Sequence, residues 1–388
     1  MRNFAVKNRD MNDIVVIPAD TRRIMNDFVK FPKQLYKDCH EYVPDLDIDV
    51  RNTYNPKKNP GLKFSDAQPF VAYRDGKPVG RVAAIINHHA NETWKNKNVR
   101  FSQIDFIDDK EVSKALINKV IEWGKSRGMD NVQGPLGITD YDKEGMLLED
   151  YDAMAAMTEY YNYPYYPEHM EALGFEKAVD WVQIRVKVPD EVPARYARVA
   201  KLSKEMFGLR LRTLTKKEIL GGYGVEIFKL LNAAYAPLFG FTPMSEQQAM
   251  EYIRMYLPLL NLDMVPIVEN SKGELVAITV TMTSISHALR RSHGRLLPLG
   301  WYYLLRSLRW HPEHTAGMLL IAVRPDYQGL GVNALFFDHL IPVYNRMGIT
   351  YAETGPQLEN NVKEISQWKP LNPQFIKRRR CWTKKIDI

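Results

Sequence analysis

The stretch Met318-Leu-Leu-Ile-Ala-Val-Arg-Pro-Asp-Tyr-Gln-Gly-Leu-Gly-Val-Asn-Ala-Leu-Phe-Phe-Asp-His-Leu340 decides how this chain is read. It opens with an unbroken apolar run, Met318 to Val323, the pattern of a buried strand. Pro325 has no N–H to give a ladder and ends the run. After Gln328-Gly329-Leu330-Gly331 the spacing turns helical, with Leu335, Phe336, His339 and Leu340 falling three and four apart. The unit is strand, glycine turn, helix. Such a turn aims the unpaired N–H groups of a helix start at one spot, at the positive end of the helix dipole. That spot suits a phosphate or pyrophosphate, and the glycines let a ligand approach the backbone. Two nucleotide patterns fail on spacing. Gly329, Gly331 and Ala334 lack the third glycine of G-x-G-x-x-G, and no Lys-Ser/Thr pair follows as G-x-x-x-x-G-K-[ST] demands.

The stretch resembles the acetyl-CoA-binding signature of the GNAT acyltransferase superfamily: an apolar strand, Val-x-Pro, two residues, then Gln/Arg-x-x-Gly-x-Gly/Ala. Here it reads Val323-Arg324-Pro325, Asp326-Tyr327, then Gln328-Gly329-Leu330-Gly331-Val332-Asn333. Asn333 replaces the usual Gly/Ala, with Ala334 just behind it. The resemblance implies that acetyl-CoA or a longer acyl-CoA is held by Ala322, Val323, Gln328, Gly329, Leu330, Gly331, Val332, Asn333 and Ala334. It adds Asn361, which stands where the superfamily often places an Asn against the CoA arm.

Outward from this stretch, the 388 residues suit two domains. In the first half, Ile14–Ile17 reads as a strand and Thr21 to Asp38 as a helix, followed by a long Pro- and Asn-rich loop over 42–63. Phe70–Tyr73, Asp75-Gly76 and Val79–Ile86 form a hairpin pattern. Phe101–Ile107 is a strand, Val112 to Arg127 a helix capped by Gly128, and Val132 opens another strand. A short helix over 167–173 and a late strand over 180–188 close this half, and Pro189–Pro193 reads as the linker. The second half repeats the plan. Leu209–Leu214 is a strand, 216–235 and 245–257 are helical, and 264–268 with 275–283 make a second hairpin. The Met318 strand follows, with its loop and a helix to Met347. Thr350–Glu353, a short helix over 362–368 and a strand over 375–386 complete it.

Both halves match the GNAT order. The expectation is therefore an α/β chain of two GNAT domains in tandem, each a mixed twisted sheet flanked by helices, over 1–190 and 191–388. In the first half, Ile104-Asp-Phe-Ile-Asp-Asp109 stands where the Gln-x-x-Gly-x-Gly loop belongs. Carboxylates there would repel a pyrophosphate, so one CoA site is expected, in the C-terminal half. Gly80-Arg-Val-Ala-Ala-Ile-Ile-Asn87, Gly128-Met-Asp-Asn-Val-Gln-Gly-Pro135, Tyr165-Tyr166 ahead of Glu171-Ala-Leu-Gly-Phe175, and Gly294-Arg-Leu-Leu-Pro298 resemble a family of bacterial double-GNAT acyltransferases over nearly the whole chain.

Acylating an amine requires the thioester held, its carbonyl polarised and a proton removed from the ammonium. The resemblance implies that backbone N–H groups of the Met318–Val323 strand polarise the carbonyl. That strand carries no acid, so Glu353, at the end of the next strand, is the first candidate base and Glu359 the second. The Tyr usual in the last helix is absent, with Trp368 the nearest aromatic, and Tyr351 is the candidate acid. A solvated or capping Glu, and a packed strand Tyr, fit the same positions.

Between His287 and Trp310, Trp301, Leu304, Leu305 and Leu308 fall on one helical stripe, with Arg306 and Arg309 on the other side. Such a helix suits an anionic membrane or an acyl channel; packing on its own domain fits the same spacing. The tyrosines of 160–166 suit either an acceptor cleft or an aromatic seam.

Two cysteines, Cys39 and Cys381, and scattered histidines build no disulfide framework or metal site. They fit a cytoplasmic protein, to which the basic, apolar spacing of 287–310 adds the expectation of peripheral membrane contact. The N-terminal MRNFAVKNRDMND lacks the apolar core of a signal peptide. A net charge of +7 favours an anionic partner such as CoA, and no nucleic-acid-binding motif is present. The expected activity is acyl-CoA-dependent N-acyl transfer, in its narrower form a long chain onto a lipid-like amine. A non-catalytic acyl-CoA-binding protein and an aminoacyl-tRNA-dependent transferase are the alternatives.

Overall fold

The structure, a computed structural model, describes residues 13–386. The N-terminal stretch judged against a signal peptide lies outside them, apart from Asp13. The chain divides into two compact units. One holds the residues up to Asp152, then Glu159–Val179 and the chain from Arg380; the other holds Ala153–Thr158 and Asp180–Arg379.

The first unit contains β1 (Val15–Pro18), α1 (Arg22–Leu35), α2 (Asp47–Thr53), β2 (Ser65–Arg74), β3 (Lys77–Asn87), α3 (His88–Thr93), β4 (Asn98–Phe106), α4 (Lys110–Lys125), β5 (Asn131–Gly134), β6 (Met146–Leu147), α5 (Tyr165–Ala172) and the start of β7 (Glu176–Lys187). Its strands run antiparallel from β1 to β4, and β4 pairs β5 in parallel. The expected loop over 42–63 is partly helical. Asp47 and Asp49 sit in the first turn of α2, where acids favour a helix start, and Val50 anchors it in the core. Val112, Leu116, Ile117 and Val120 bury one face of α4 against Val82, Val99 and Phe101.

The acids in place of a phosphate loop have structural partners. Asp105 is buried, ion-paired to Arg81 Nε at 2.7 Å, and accepts from the Tyr36 hydroxyl at 2.9 Å. Asp109 caps α4 through the Glu111 N–H and pairs with Arg74. Only Ile107, Asp108 and Asp109 separate β4 from α4. The tyrosines behind them form a packed seam: Tyr166 is fully buried, stacks on Phe106 at 4.2 Å and accepts the Phe106 N–H.

The second unit contains the rest of β7, α6 (Ala194–Phe207), β8 (Arg210–Thr213), α7 (Lys216–Glu218), α8 (Gly224–Tyr235), α9 (Glu246–Tyr256), β9 (Pro266–Glu269), β10 (Leu275–Thr283), α10 (Ser286–Ser292), α11 (Gly300–Leu305), β11 (Thr315–Val323), α12 (Val332–Arg346), β12 (Tyr351–Thr354), β13 (Gln357–Leu358), α13 (Val362–Ser366) and the first half of β14 (Gln374–Lys385). Its sheet runs β7-β12-β11-β10-β9-β8. The β11–β12 pair is parallel and the others are antiparallel. α12 packs on α6 and on one face of this sheet through Leu335, Phe336, Leu340 and Val343; α8 and α9 cover the other with Ile227, Leu230, Leu231 and Ile253. The two halves exchange their last strands. From Asp180, β7 belongs to the second unit, where Arg185–Lys187 pair β12, whereas Trp382–Lys385 of β14 pair β5 in the first. Residues 180–190, read from sequence as part of the first half, therefore lie in the second unit.

Candidate functional site

The site is built on β11. Its first four residues, Thr315 to Met318, pair with Tyr351 to Thr354 of β12, and there the ladder stops. β11 runs on to Val323 while the chain beyond β12 turns away, Gln357 and Leu358 pairing Val182 and Trp181 of β7. Two parallel strands thus part beside Met318 and leave the β11 edge from Leu319 to Val323 without a strand. A bulge falls at the same place: Met318 pairs Thr281 and Leu320 pairs Val280, so Leu319 is the extra residue. Met318, Leu319, Leu320, Ile321 and Val323 are only half-buried, with Ala322 alone fully so. The apolar run was expected to be a buried strand. It is a strand, but its exposure follows from the departure of its neighbour.

Two side chains meet the open edge. The Tyr235 hydroxyl donates to the Ile321 carbonyl at 2.9 Å and accepts the Ile321 N–H at 3.2 Å. Gln328 Nε2 donates to the Val323 carbonyl at 3.1 Å. The Ile321 N–H expected to help polarise a carbonyl is thus engaged by Tyr235.

The edge leads into the glycine turn. Gly329 and Gly331 both have positive φ, 81° and 77°, and Gly331 is the N-cap of α12 with no side chain capping the helix. The Ala334 N–H is taken by the Gly331 carbonyl at 3.0 Å, which leaves the N–H groups of Val332 and Asn333 for an external acceptor. The two glycines differ in surroundings. A Cβ on Gly329 would meet nothing within 4 Å, whereas one on Gly331 would lie 2.6 Å from Val199 Cγ1 and 2.8 Å from Ser203 Oγ of α6. Ser203 Oγ also donates to the Leu330 carbonyl at 2.8 Å. Gly331 lets α6 pack beneath the turn; Gly329 is the glycine with open space.

A polar chain joins this turn to α13. Asn333 Nδ2 donates to Gln367 Oε1 at 2.6 Å, and Gln367 Nε2 donates in turn to Glu364. Burial raises the Glu364 carboxyl to about 7, against the lowering effect of that hydrogen bond. Burial also raises the Tyr235 phenol, and the charge of Glu364 adds to the shift. Asn361 Oδ1 caps α13 by accepting the Glu364 N–H at 3.4 Å. Trp368 is buried against Phe337, and its Nε1, like Asn333 Oδ1, has no hydrogen-bond partner among the described residues. An indole N–H keeps its proton, so Trp368 cannot serve as an acid.

The acids singled out from sequence have other partners. Glu353 is nearly buried and bound by Arg185 through Nε at 2.7 Å and Nη2. Glu359 pairs with Arg378 at 2.9 Å. Tyr351 is exposed, lies under the Arg185 guanidinium and pairs Thr315, at the end of the β11–β12 ladder away from the parting. Glu353 and Tyr351 thus share Arg185, while the turn, Asn333 and Asn361 are joined to Glu364. Glu364 and Tyr235 escaped the sequence reading. Asn361-x-x-Glu364 has the outline of a helix cap, which gives no sign that the carboxylate is buried.

A tandem GNAT protein from the clavulanic acid biosynthesis pathway superposes with a TM-score of 0.57 at 13% identity, over 96% of this chain and 98% of that one. The chain has the tandem GNAT fold. No protein-family model matches it. Over 375 residues it is 28% identical to protein YghO of Escherichia coli (strain K12), with 92% of each chain covered. Over 320 residues it is 24% identical to a bacterial ceramide synthase of Caulobacter vibrioides (strain NA1000 / CB15N), covering 81% of this chain and 82% of that one. In the second unit, the open edge of β11 and the uncapped start of α12 belong to the stretch whose sequence resembles the CoA-binding signature.

Proposed function

We propose that the chain is an acyl-CoA-dependent N-acyltransferase that moves a long acyl chain onto the amine of a lipid-like acceptor. The observation that carries this reading is the open, apolar β11 edge leading from Met318 into the uncapped start of α12. A pyrophosphate suits the helix start, and a thioester arm suits the adjoining edge. The relative named as a ceramide synthase supports a lipid-like acceptor, a ceramide being an amide of a long-chain amino alcohol. One acyl-CoA is taken per chain, by the C-terminal half, since Asp105 and Asp109 occupy the equivalent position in the other.

In the reaction the amine nitrogen attacks the thioester carbonyl. A C–N bond forms, the C–S bond breaks, and CoA leaves as a thiolate that takes up a proton. The acceptor arrives as an ammonium ion and must first lose a proton. Glu364, with its carboxyl near 7, is suited to take it at neutral pH. Tyr235, kept neutral by burial, retains a proton for the thiolate, and the second N–H proton, lost from nitrogen as the amide forms, returns to its phenolate. Glu353 and Glu359 have the weaker claim because Arg185 and Arg378 hold their carboxylates.

The test is amine-dependent release of CoA thiol, measured with acetyl-, octanoyl- and palmitoyl-CoA and a long-chain amino alcohol. Each buried methylene contributes about 0.8 kcal/mol, so palmitoyl-CoA should exceed acetyl-CoA in kcat/KM by orders of magnitude. Tight acyl-CoA binding with no amine-dependent release would overturn the reading and leave a binding protein.

A further inference from the structure

The segment between β10 and β11 is not consumed by the transfer site. It folds as α10, a loop over 293–299, α11 and a wide helical turn over Arg306–Trp310. The single stripe expected of Trp301, Leu304, Leu305 and Leu308 does not form one buried face. The three leucines are half-buried, but Trp301 is 50% exposed and its indole N–H donates to the Pro298 carbonyl. The exposed apolar groups are instead Leu297 (76%), Leu299 (53%), Trp301, Tyr302 and Trp310 (56%). Of the sixteen large apolar side chains exposed among the described residues, five fall within this short span. Singly exposed apolar residues are ordinary; a cluster is not.

The charge around the cluster has one sign. From Leu275 to Pro312 the chain holds five arginines, Arg290, Arg291, Arg295, Arg306 and Arg309, and no Asp or Glu. Arg291, Arg295, Arg306 and Arg309 are exposed. The acid that closes the segment, Glu313, is committed inward. It accepts the His287 N–H at 3.0 Å and the Ser284 and Ser307 hydroxyls at 2.7 and 3.3 Å, fastening the segment to the ends of β10 and β11. Arg309 Nη2 holds the Pro258 carbonyl at 2.9 Å, and Leu259 beside it adds another exposed apolar group.

Aliphatic side chains on a loop, Trp and Tyr at their margin and a ring of arginines form the chemistry that enters the headgroup region of a bilayer. A protein partner would also need carboxylates facing every arginine; an anionic lipid surface supplies that charge everywhere. We propose that the face formed by Leu297, Leu299, Trp301, Tyr302 and Trp310 docks the chain on an anionic membrane, with Arg295 and Arg306 held over the headgroups. No helix among the described residues is long and apolar enough to cross a membrane, so this attachment is peripheral. The inference goes beyond the acyl-transfer reading and does not depend on it.

The experiment is flotation of the full chain with vesicles of phosphatidylcholine alone or equimolar with phosphatidylglycerol, at low and high salt. Neither lipid carries an acceptor amine, so the outcome is independent of catalysis. Wild type should float with the anionic vesicles, and salt should weaken binding. Each arginine near such a surface contributes roughly fivefold in binding. R295E/R306E should therefore lose at least about 25-fold, and W301S/W310S about tenfold or more. Both variants alter exposed side chains, and unchanged thermal unfolding would establish that they fold. No binding to anionic vesicles, or wild-type binding by both variants, would overturn the proposal. So would a concentration-dependent dimer in sedimentation that W301S/W310S abolishes, since it would assign the face to a second copy.

Discussion

Replacing Gly329 with Glu separates the ligand role of the turn from its packing role. Gly329 has φ 81°, and a Cβ added there would meet no atom within 4 Å, so the substitution costs only the left-handed backbone of a non-glycine residue. That is about 1–2 kcal/mol, a loss of a few degrees in Tm. The new carboxylate would stand in the turn that is to receive a pyrophosphate. Two unit charges about 5 Å apart at an effective dielectric of about 20 repel by about 3 kcal/mol, roughly a hundredfold in affinity. Titration calorimetry with CoA should show that loss for Gly329→Glu, whereas Gly329→Ala, with the same backbone strain and no charge, should lose less than about tenfold. Gly331→Ala should behave differently. Its Cβ would strike Val199 and Ser203, so overpacking adds about 1–3 kcal/mol to the backbone cost. Unfolding, rather than affinity alone, should register it. Wild-type CoA affinity in folded Gly329→Glu would refute the assignment of the turn to the pyrophosphate.

Calorimetry on the wild-type chain should return one CoA per chain, because Asp105 and Asp109 stand where the first half would need a phosphate loop; two would contradict this. Transfer should rise with pH through about 7, as the Glu364 carboxyl ionises, and Glu364→Gln should flatten that profile. The same group affects stability. Its folded value lies above the ordinary 4.5, so the stability it contributes is present below about 4.5 and lost as pH rises through about 7. Glu364→Gln should therefore unfold at a higher temperature than wild type at alkaline pH, by the circular dichroism melt. Glu353→Gln should weaken the contact with Arg185, costing about 1–2 kcal/mol in denaturant unfolding while leaving most transfer activity. A complete loss of activity in that folded variant would return Glu353 to the role of base.

The order of elements was legible because Gly and Pro punctuate it: Asp75-Gly76 turns the first hairpin, Gly128 and Gly348 end helices, and Pro325 ends β11. α6 was not legible. Its buried face is Tyr196, Ala200 and Ser203, too small and polar to register as an apolar stripe. The strand exchange was equally hidden, since the residues of β7 and β14 look alike whichever sheet receives them. Exposure of Met318 to Ile321 depends on β12 turning away, and an apolar run does not announce its neighbour's path. The raised carboxyl of Glu364 comes from burial working against the Gln367 hydrogen bond, and that burial is not written around Asn361. The roles of the two glycines separate only when α6 arrives beneath Gly331. Local chemistry was written in the chain; the environments that tune it came from packing.

The most direct test supplies palmitoyl-CoA labelled in its acyl carbonyl, together with a long-chain amino alcohol, to the full chain and to Gly329→Glu, and follows the label by mass spectrometry. The account predicts that the label appears in an amide of the amino alcohol, one for each CoA thiol released, and that Gly329→Glu forms that amide far more slowly at limiting acyl-CoA. Label found only in free fatty acid or in an ester, or an equal rate of amide formation in the variant, would contradict it.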